Sequence, residues 1–329
     1  MEFYVIFIIA VALLFDFLNG MNDAANSIAT IVSTRVLSPK MAVAWAAFFN
    51  FAAAGIFGVA VATTIGKEII NPDIVTPNLI LGSLLGAIIW THFCTQYGFP
   101  ISVSHALIGG LAGAGFYKGG FEALNFWGIE KIVLFIFLSP LIGLIVGFIL
   151  MVSMNWIFRK WNVRKVDKYF RIGQLISSAA FSLGHGTNDA QKTMGIITVL
   201  LYSTGYFQGE EMHVPIWVII SAYVAIALGT LMGGWKVVGM LGVKLTHLKP
   251  LGGFCAEASG ALMLIGTAAF GIPVSTTHTI AGSIMGVGAT RRLSAVRWGV
   301  VGRILMAWIF TIPVSAVIGA LTFWVIEMF

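Results

Sequence analysis

The sequence contains very little charge. Only 10% of its 329 residues are charged, whereas a soluble domain carries about 25%. Long stretches hold no Asp, Glu, Lys or Arg at all, namely residues 41–66, 132–158, 214–235 and 304–326. Each stretch reaches the roughly 20 apolar residues that cross a bilayer as a helix. The composition therefore excludes a soluble globular domain and predicts an all-α, polytopic membrane protein.

Cysteine is scarce too. Cys94 and Cys255 both lie in apolar surroundings, so they provide neither a disulfide framework nor a metal-binding spacing. The first residues lack a basic region and a small-residue cleavage site, which argues against a signal peptide. We therefore expect residues 3–14 to belong to a retained membrane span.

The basic residues are concentrated in one place. Six of the 19 lie in RKWNVRKVDKYFR, residues 159–171. The positive-inside rule predicts that this segment is a cytoplasmic loop of a multi-pass protein in the cell membrane. Because the net charge of +6 comes largely from this topology signal, we expect a lipid bilayer and no nucleic acid as the partner.

Two motifs recur and divide the chain into halves. A shift of 166 positions places Gly20, Asn22 and Asp23 on Gly186, Asn188 and Asp189, and a shift of 173 pairs GFPISVSHALIGG (98–110) with GIPVSTTHTIAGS (271–283). The second shift is seven positions larger than the first, which fits an enlarged polar loop around GEEMH, residues 209–213, in the second half. Small residues recur easily in membrane helices, but a repeated Asn-Asp or Pro-x-Ser-x-Ser/Thr-His does not. We predict two homologous repeats, 1–158 and 172–329, joined by the basic loop 159–171.

Both motifs place polar groups at membrane depth, where a broken helix survives only beside protein or a water-filled cavity. Gly-Met-Asn-Asp and Gly-Thr-Asn-Asp predict breaks, since Asn and Asp side chains compete for backbone donors. Gly-Phe-Pro and Gly-Ile-Pro predict a stop followed by a new helix, whose exposed N–H groups and hydroxyls attract an anion. Broken helices at corresponding positions of two repeats indicate a transporter site near the midplane.

GMNDAANSIAT with HGTNDAQKTMGIIT, and GFPISVSH with GIPVSTTH, resemble the paired signatures of the inorganic phosphate transporter family. The resemblance covers nearly the whole chain and implies secondary transport of phosphate through inverted repeats, driven by sodium or protons. It also implies that Asp23 and Asp189 are essential coupling residues. The chain departs from the family at Asn50, where many sodium-coupled members have glutamate, and at Lys192, which aligns with Asn26.

These arguments give two sets of predicted site residues. The phosphate-binding set is Ser102, Ser104, Ser275, Thr276, Thr277, Asn22, Asn188 and Lys192. Carboxylate and amide oxygens suit hard cations, so the sodium set is Asp23, Asn26, Asp189 and Glu257. His105 and His278 recur but serve packing as readily as function, and we leave Asp16 out of the site.

We predict a sodium-coupled phosphate importer that works by alternating access and has no enzymatic activity or organic cofactor, with Na⁺ as the coupling ion. The alternatives are proton coupling, another oxyanion such as sulfate, an intramembrane aspartyl protease and an anion channel. The sequence leaves the oligomeric state open between a monomer and a homodimer.

Overall fold

The structure of the protein, a computed structural model, describes residues 2–56, 58–59, 61–62, 74–207, 213–272 and 274–329. Residues 209–212 of the predicted GEEMH loop and Pro273 of the second proline break lie outside them. The α-helices of the described residues are α1 (Phe3–Ser33), α2 (Pro39–Ala52), α3 (Pro77–Tyr97), α4 (Val103–Gly119), α5 (Phe126–Ile157), α6 (Val163–Ser203), α7 (Ile216–Met232), α8 (Trp235–Gly239), α9 (Pro250–Ala269), α10 (Thr276–Ala289) and α11 (Trp298–Ile326).

Several of these helices can cross a membrane, which confirms the predicted fold class. Among the described residues five helices are long and apolar enough, namely α1, α3, α5, α9 and α11. Helix α7 is followed, after a bend of 64°, by α8 and the π-helical turn Met240–Lys244, and the pair counts as a sixth span only if it is taken as one broken helix rather than a re-entrant loop. The full span predicted over 41–66 is wrong for its described part. Helix α2 has 14 residues and gives way to a 3₁₀ turn at Ala53–Gly55, so it is too short to cross alone.

The two repeats are inverted relative to each other. Helices α1 and α6 carry the two Asn-Asp motifs and run antiparallel. The Thr34 hydroxyl donates to Gln174 Oε1 (2.9 Å) at one level, and His185 Nε2 lies 4.0 Å from Asp23 Oδ2 about three turns further along. The repeats also interlock, because α4 packs against α11 and α5 against α10. Each repeat therefore supplies a long outer helix that covers the short inner helix of the other.

The proline motifs break the chain as predicted. Helix α3 ends at Tyr97, Gly98 takes a left-handed conformation (φ 75°), and α4 begins after Ser102. In the second repeat α9 ends at Ala269, Gly271 has φ 65°, and α10 begins after Ser275. Glycine is the residue that adopts such positive φ angles without strain. Helices α4 and α10, of 17 and 14 residues, thus begin inside the protein as re-entrant elements.

The breaks predicted at the two Asn-Asp motifs are wrong. Both motifs lie within continuous helices, α1 of 31 residues and α6 of 41 residues. The motif side chains of α1 do not compete for their own backbone, because Asn22 donates to Thr95 Oγ1 (2.6 Å) and Asn26 to Thr277 Oγ1 (2.9 Å). Acceptors on neighbouring helices engage the amide nitrogens of both residues, and the helix has no reason to open.

The loop predicted at 159–171 is also shorter than expected. Helix α6 begins at Val163, where the Asn162 side chain caps it by accepting from Arg164 N (2.9 Å). Lys and Arg are good helix formers, and Arg171 pairs with Asp167 one turn earlier (3.2 Å). Most of the basic segment is therefore the first part of a helix.

Glycines determine how closely the interlocked helices pack. A Cβ added at Gly282 of α10 would collide with the backbone of Pro140 in α5, whereas one at Gly302 of α11 meets nothing within 4 Å. Small residues allow such backbone contact between membrane helices. The interlock therefore depends on Gly282 and not on Gly302.

We predict that Gly282→Val destabilises the protein by about 1–3 kcal/mol, because added volume forces packed helices apart. Gly302→Val is the matched control and should change stability by less than about 0.5 kcal/mol. Thermal unfolding can be followed with a thiol-reactive dye, since Cys94 and Cys255 are free and buried. Equal unfolding temperatures for the two variants would contradict the described interlock.

Candidate functional site

Two carboxylates and one imidazole meet where α1 crosses α6. One ligand atom from each of Asp23, His185 and Asp189 lies within 4.8 Å of the others, and all three side chains are buried. His185 Nε2 is 3.1 Å from Asp189 Oδ2. The other ring nitrogen, Nδ1, lies 3.1 Å from Asn50 Oδ1, and the Asn50 amide nitrogen donates to Thr230 (2.9 Å). Nδ1 is therefore the donor, and Nε2 is turned toward both carboxylates.

The start of α10 provides hydroxyls to the same place. Thr276 Oγ1 lies 3.1 Å from Asp189 Oδ2 and 3.4 Å from Asp23 Oδ2, and Thr277 donates to Asp23 Oδ1 (3.3 Å). The amide nitrogen of Asn26 donates to both hydroxyls, at 3.3 and 2.9 Å. One threonine thus bridges the two aspartates that the sequence places 166 positions apart.

Lys192 brings a permanent cation into this cluster. Its ammonium group donates to Asp189 Oδ1, to Ser104 Oγ and to the Val274 carbonyl (3.3 Å), and the residue is 2% exposed. A buried ammonium group is costly unless it is paired and hydrogen-bonded. All three of its donor positions have an acceptor, so Lys192 faces the site and not solvent.

The contacts across the site are crossed between the repeats. Asn26 of the first repeat donates to Thr277 at the start of α10, in the second repeat. Its counterpart Lys192 of the second repeat donates to Ser104 at the start of α4, in the first repeat. Each Asn-Asp helix therefore completes the proline-started helix of the opposite repeat, and the site needs both halves.

The two re-entrant helices begin beside each other at this site. Ser102 accepts from His105 N (3.3 Å) and Ser275 from His278 N (3.2 Å), so both hydroxyls cap their own helices. The rings of His105 and His278 are in edge contact, with centroids 4.8 Å apart. N–H groups in the first turn of a helix have no intrahelical acceptor and carry partial positive charge. Both helix starts therefore direct such groups toward one region.

Among the described residues, the side-chain nitrogens of Asn22 and Asn188 have acceptors, whereas their side-chain oxygens have no donor. Asn188 Nδ2 donates to the carbonyls of Gly184 and Leu264, both at 3.0 Å. Asn22 Nδ2 donates to Thr95 Oγ1, whose own proton goes to Thr91 O. The Oδ1 atoms of both residues, and of Asn26, have no hydrogen-bond partner among the described residues. Three buried amide oxygens are thus left as lone-pair donors.

Glu257 lies apart from the two aspartates, in a cluster of its own. Its carboxylate accepts from Thr30 (2.5 Å), Gln174 (3.0 Å) and Ser177 (2.5 Å). Thr30 is seven residues after Asp23 on α1, or about 10 Å along the helix axis. The predicted sodium set is therefore split between two levels of α1, with Asp23, Asn26 and Asp189 together and Glu257 on the side of the basic segment.

His185 was not among the predicted site residues. It stands four residues before Asp189 on α6, and residues four apart share one face of a helix. That spacing could have identified it from the sequence. The predicted break in the helix at this motif hid the relationship, because a broken helix does not keep a common face.

Known proteins resemble this chain over nearly its whole length. A family profile described as the phosphate transporter family matches residues 19–165 and 159–319. A probable low-affinity inorganic phosphate transporter of Rhizobium meliloti (strain 1021) is 54% identical over 98% of this chain and 96% of its own length. One of Bacillus subtilis (strain 168) is 43% identical over 98% and 97%. A solved structure of a sodium-dependent phosphate transporter superposes with a TM-score of 0.91 at 26% identity, covering 99% and 100% of the two chains.

The chain belongs to the phosphate transporter family. The two profile matches fall one on each repeat, which agrees with the duplication seen in the sequence and in the fold. Its named relatives are transporters rather than enzymes, so the intramembrane protease is not supported.

We predict that Lys192→Met, measured without sodium, destabilises the protein by about 3–5 kcal/mol, because it leaves the buried Asp189 carboxylate without its ion-pair partner. Lys192→Met combined with Asp189→Asn removes both charges and should recover most of that loss. Thermal unfolding of the two single variants and the double variant measures the coupling. Additive effects of the two substitutions would show that the pair does not interact.

Proposed function

We propose that the protein imports inorganic phosphate together with sodium ions by alternating access. The observation that supports this most is the meeting of two carboxylates, two helix starts and one buried ammonium group at a single place. An anion and its accompanying cations can be held there in contact with each other. Asp23, Asp189 and the oxygens of Asn22, Asn26 and Asn188 are the cation ligands, since carboxylate and amide oxygens suit hard cations.

This assignment moves Asn22 and Asn188 from the predicted phosphate set to the cation set, because the atoms that they leave without a partner among the described residues are oxygens, which cannot donate to an anion. The phosphate ligands are then the Ser104 hydroxyl and the N–H groups of the helix starts capped by Ser102 and Ser275. Once sodium neutralises the aspartates, the Lys192 ammonium group and the hydroxyls of Thr276 and Thr277 turn from the carboxylates to phosphate. Glu257 holds an accessory sodium ion at the second level.

Charge balance explains why cations accompany the anion. Moving one elementary charge against 100 mV costs about 2.3 kcal/mol, so a dianionic phosphate entering a negative interior faces about twice that. Two sodium ions cancel its charge, and a third makes import electrically favourable. The aspartates also repel phosphate when no sodium is bound, which prevents either ion from binding well alone.

The buried aspartates also favour phosphate over sulfate. At neutral pH phosphate retains a proton that it can donate to an ionised carboxylate, whereas sulfate has none and would place an oxygen against the carboxylate. Sites built around such a hydrogen bond reject the analogue that lacks it by large factors. Proton coupling is the second candidate. Lys192 supports it, because a tethered cation beside Asp189 reduces the number of sodium ions that the site needs.

Alternating access follows from the inverted repeats, here taken as 1–158 and 172–329, which can rock about the shared site. The basic segment 159–171 lies on the cytoplasmic side of the cell membrane by the positive-inside rule. The unit that moves is a single chain, alone or within a homodimer.

Uptake of radiolabelled phosphate into proteoliposomes, with sodium and pH gradients imposed separately, tests the proposal. We expect saturable uptake that a sodium gradient drives at equal pH and that excess sulfate does not inhibit. Uptake driven by a pH gradient alone would establish the proton-coupled alternative instead. Uptake that does not saturate would indicate a channel.

We predict that Asp23→Asn and Asp189→Asn each abolish sodium-driven uptake, because each removes a charged ligand from the cation site. Asp167→Asn is the matched control, since Asp167 is an exposed carboxylate in the basic segment, 44% accessible. The control should transport like the unmodified protein. Normal sodium dependence in either buried variant would remove that aspartate from the coupling site.

We also predict that Lys192→Asn, which copies the first repeat, weakens phosphate binding and steepens its dependence on sodium concentration. The lost ammonium group has to be replaced by a mobile cation if Asp189 and phosphate are to be neutralised. Phosphate affinity at several sodium concentrations measures both effects. Identical curves for the variant and the unmodified protein would make the asymmetry between Asn26 and Lys192 structural only.

A further inference from the structure

A buried aspartate of α1 other than Asp23 has no role in the site described so far. Asp16 is 0% exposed, and neither of its carboxylate oxygens has a hydrogen-bond partner among the described residues. An unpaired carboxylate inside a membrane protein is costly and marks a functional position. Every other buried carboxylate of α1, α6 and α9 has hydroxyl, amide or ammonium partners.

Two further oxygens beside Asp16 are equally unsatisfied. The side chains of Asn19, one turn later on α1, and Thr193, on α6, adjoin the carboxylate. Asn19 is 2% exposed and Thr193 is 1% exposed, yet Asn19 Oδ1 and Thr193 Oγ1 have no hydrogen-bond partner in the described part of the chain. The Asn19 and Thr193 side chains thus approach the carboxylate, but none of these four buried oxygens makes a hydrogen bond of ordinary geometry within the described residues. Carboxylate, amide and hydroxyl oxygens together are the donor set of a hard cation.

The charge of this place favours a monovalent ion. Asp16 is the one carboxylate of the group, so a monovalent cation neutralises it, whereas a divalent ion would leave a buried excess charge. Lys192 cannot supply the charge, because its three donor positions are occupied by Asp189, Ser104 and Val274. The charges of Asp189 and Lys192 act on the Asp16 carboxylate, so the Asp16 cluster is electrostatically coupled to the central site.

Asp16 lies on the same face of α1 as the central site and the Glu257 cluster. Asp16, Asp23 and Thr30 are spaced by seven residues, which puts them on one face of the helix at intervals of about 10 Å. Thr30 marks the Glu257 level. The end of α1 beyond Thr30 is tied to the basic segment, where Arg171 donates to the Arg35 carbonyl (2.9 Å). Asp16 therefore lies on the opposite side of the central site from the basic segment.

We propose that Asp16, Asn19 and Thr193 form a separate sodium site, on the outer side of the central phosphate site. The assignment of this site to the outer side of the membrane rests on the proposed function. The presence of the ion does not depend on it. The ionised Asp16 carboxylate attracts sodium toward Asp189, and the ion bound there cancels the repulsion between this carboxylate and phosphate. Loss of the carboxylate therefore raises the sodium concentration needed for transport.

Equilibrium binding of ²²Na⁺ to the purified full-length protein tests the site directly. We expect Asp16→Asn to bind one sodium ion fewer per chain than the unmodified protein at saturating sodium. Thr193→Val keeps the shape of the side chain and removes one ligand, so the number of ions should be retained and one affinity should fall several-fold. Ser182→Ala is the control, because Ser182 is the counterpart of Asp16 in the second repeat and carries no charge.

Phosphate uptake into proteoliposomes separates this inference from the proposed function. For Asp16→Asn we expect the half-saturating sodium concentration to rise several-fold, with phosphate affinity at saturating sodium unchanged within about twofold. An unchanged sodium count in Asp16→Asn overturns the site and indicates that Asp16 is protonated instead. If that variant does not fold, unchanged sodium affinities in Thr193→Val overturn it. Absence of sodium-driven uptake by the unmodified protein would contradict the proposed function but not the binding result.

Discussion

The structure depends on the cost of placing carboxylates where no water can reach them. Asp23 and Asp189 are 1% and 0% exposed, and an ionised carboxylate in such surroundings needs partners or a cation. Asp23 has its partners in the opposite repeat, the hydroxyls of Thr276 and Thr277 at the start of α10, whereas Asp189 is paired within its own repeat with Lys192 and Thr276. Because the first repeat does not satisfy its own aspartate, and Lys192 also donates to Ser104 of the first repeat, the two halves are held together at the level of the site.

The same constraint explains the re-entrant helices and their glycines. A helix that begins inside the bilayer exposes N–H groups that lipid cannot satisfy, so α4 and α10 must be enclosed by the long helices α11 and α5. Close enclosure requires residues without a side chain at the contact, as at Gly113 against Ala316 and at Gly286 against Leu144. The polar site and the small-residue packing are therefore two parts of one solution.

Much of this arrangement could be predicted from the sequence. The low charge, the duplicated motifs and the proline-started helices gave the membrane class, the repeats and the broken helices at Gly98 and Gly271. The Asn-Asp motifs were misjudged, because local propensity favours a break and only distant residues such as Thr95 and Thr277 remove the need for one. The predicted break also hid His185, which shares a helix face with Asp189, whereas the orphaned oxygens around Asp16 were missed because their surroundings are set by the antiparallel packing of α1 on α6.

We propose that one anion site is built jointly by the two inverted repeats. Crystals grown with sodium and arsenate, a phosphate analogue whose arsenic scatters anomalously, test this most directly. We expect one anomalous peak within hydrogen-bonding reach of the helix start at Ser102–Ser104 and of the start at Ser275–Thr277, with Lys192 in contact. An anion held by only one of the two helix starts would contradict the shared site.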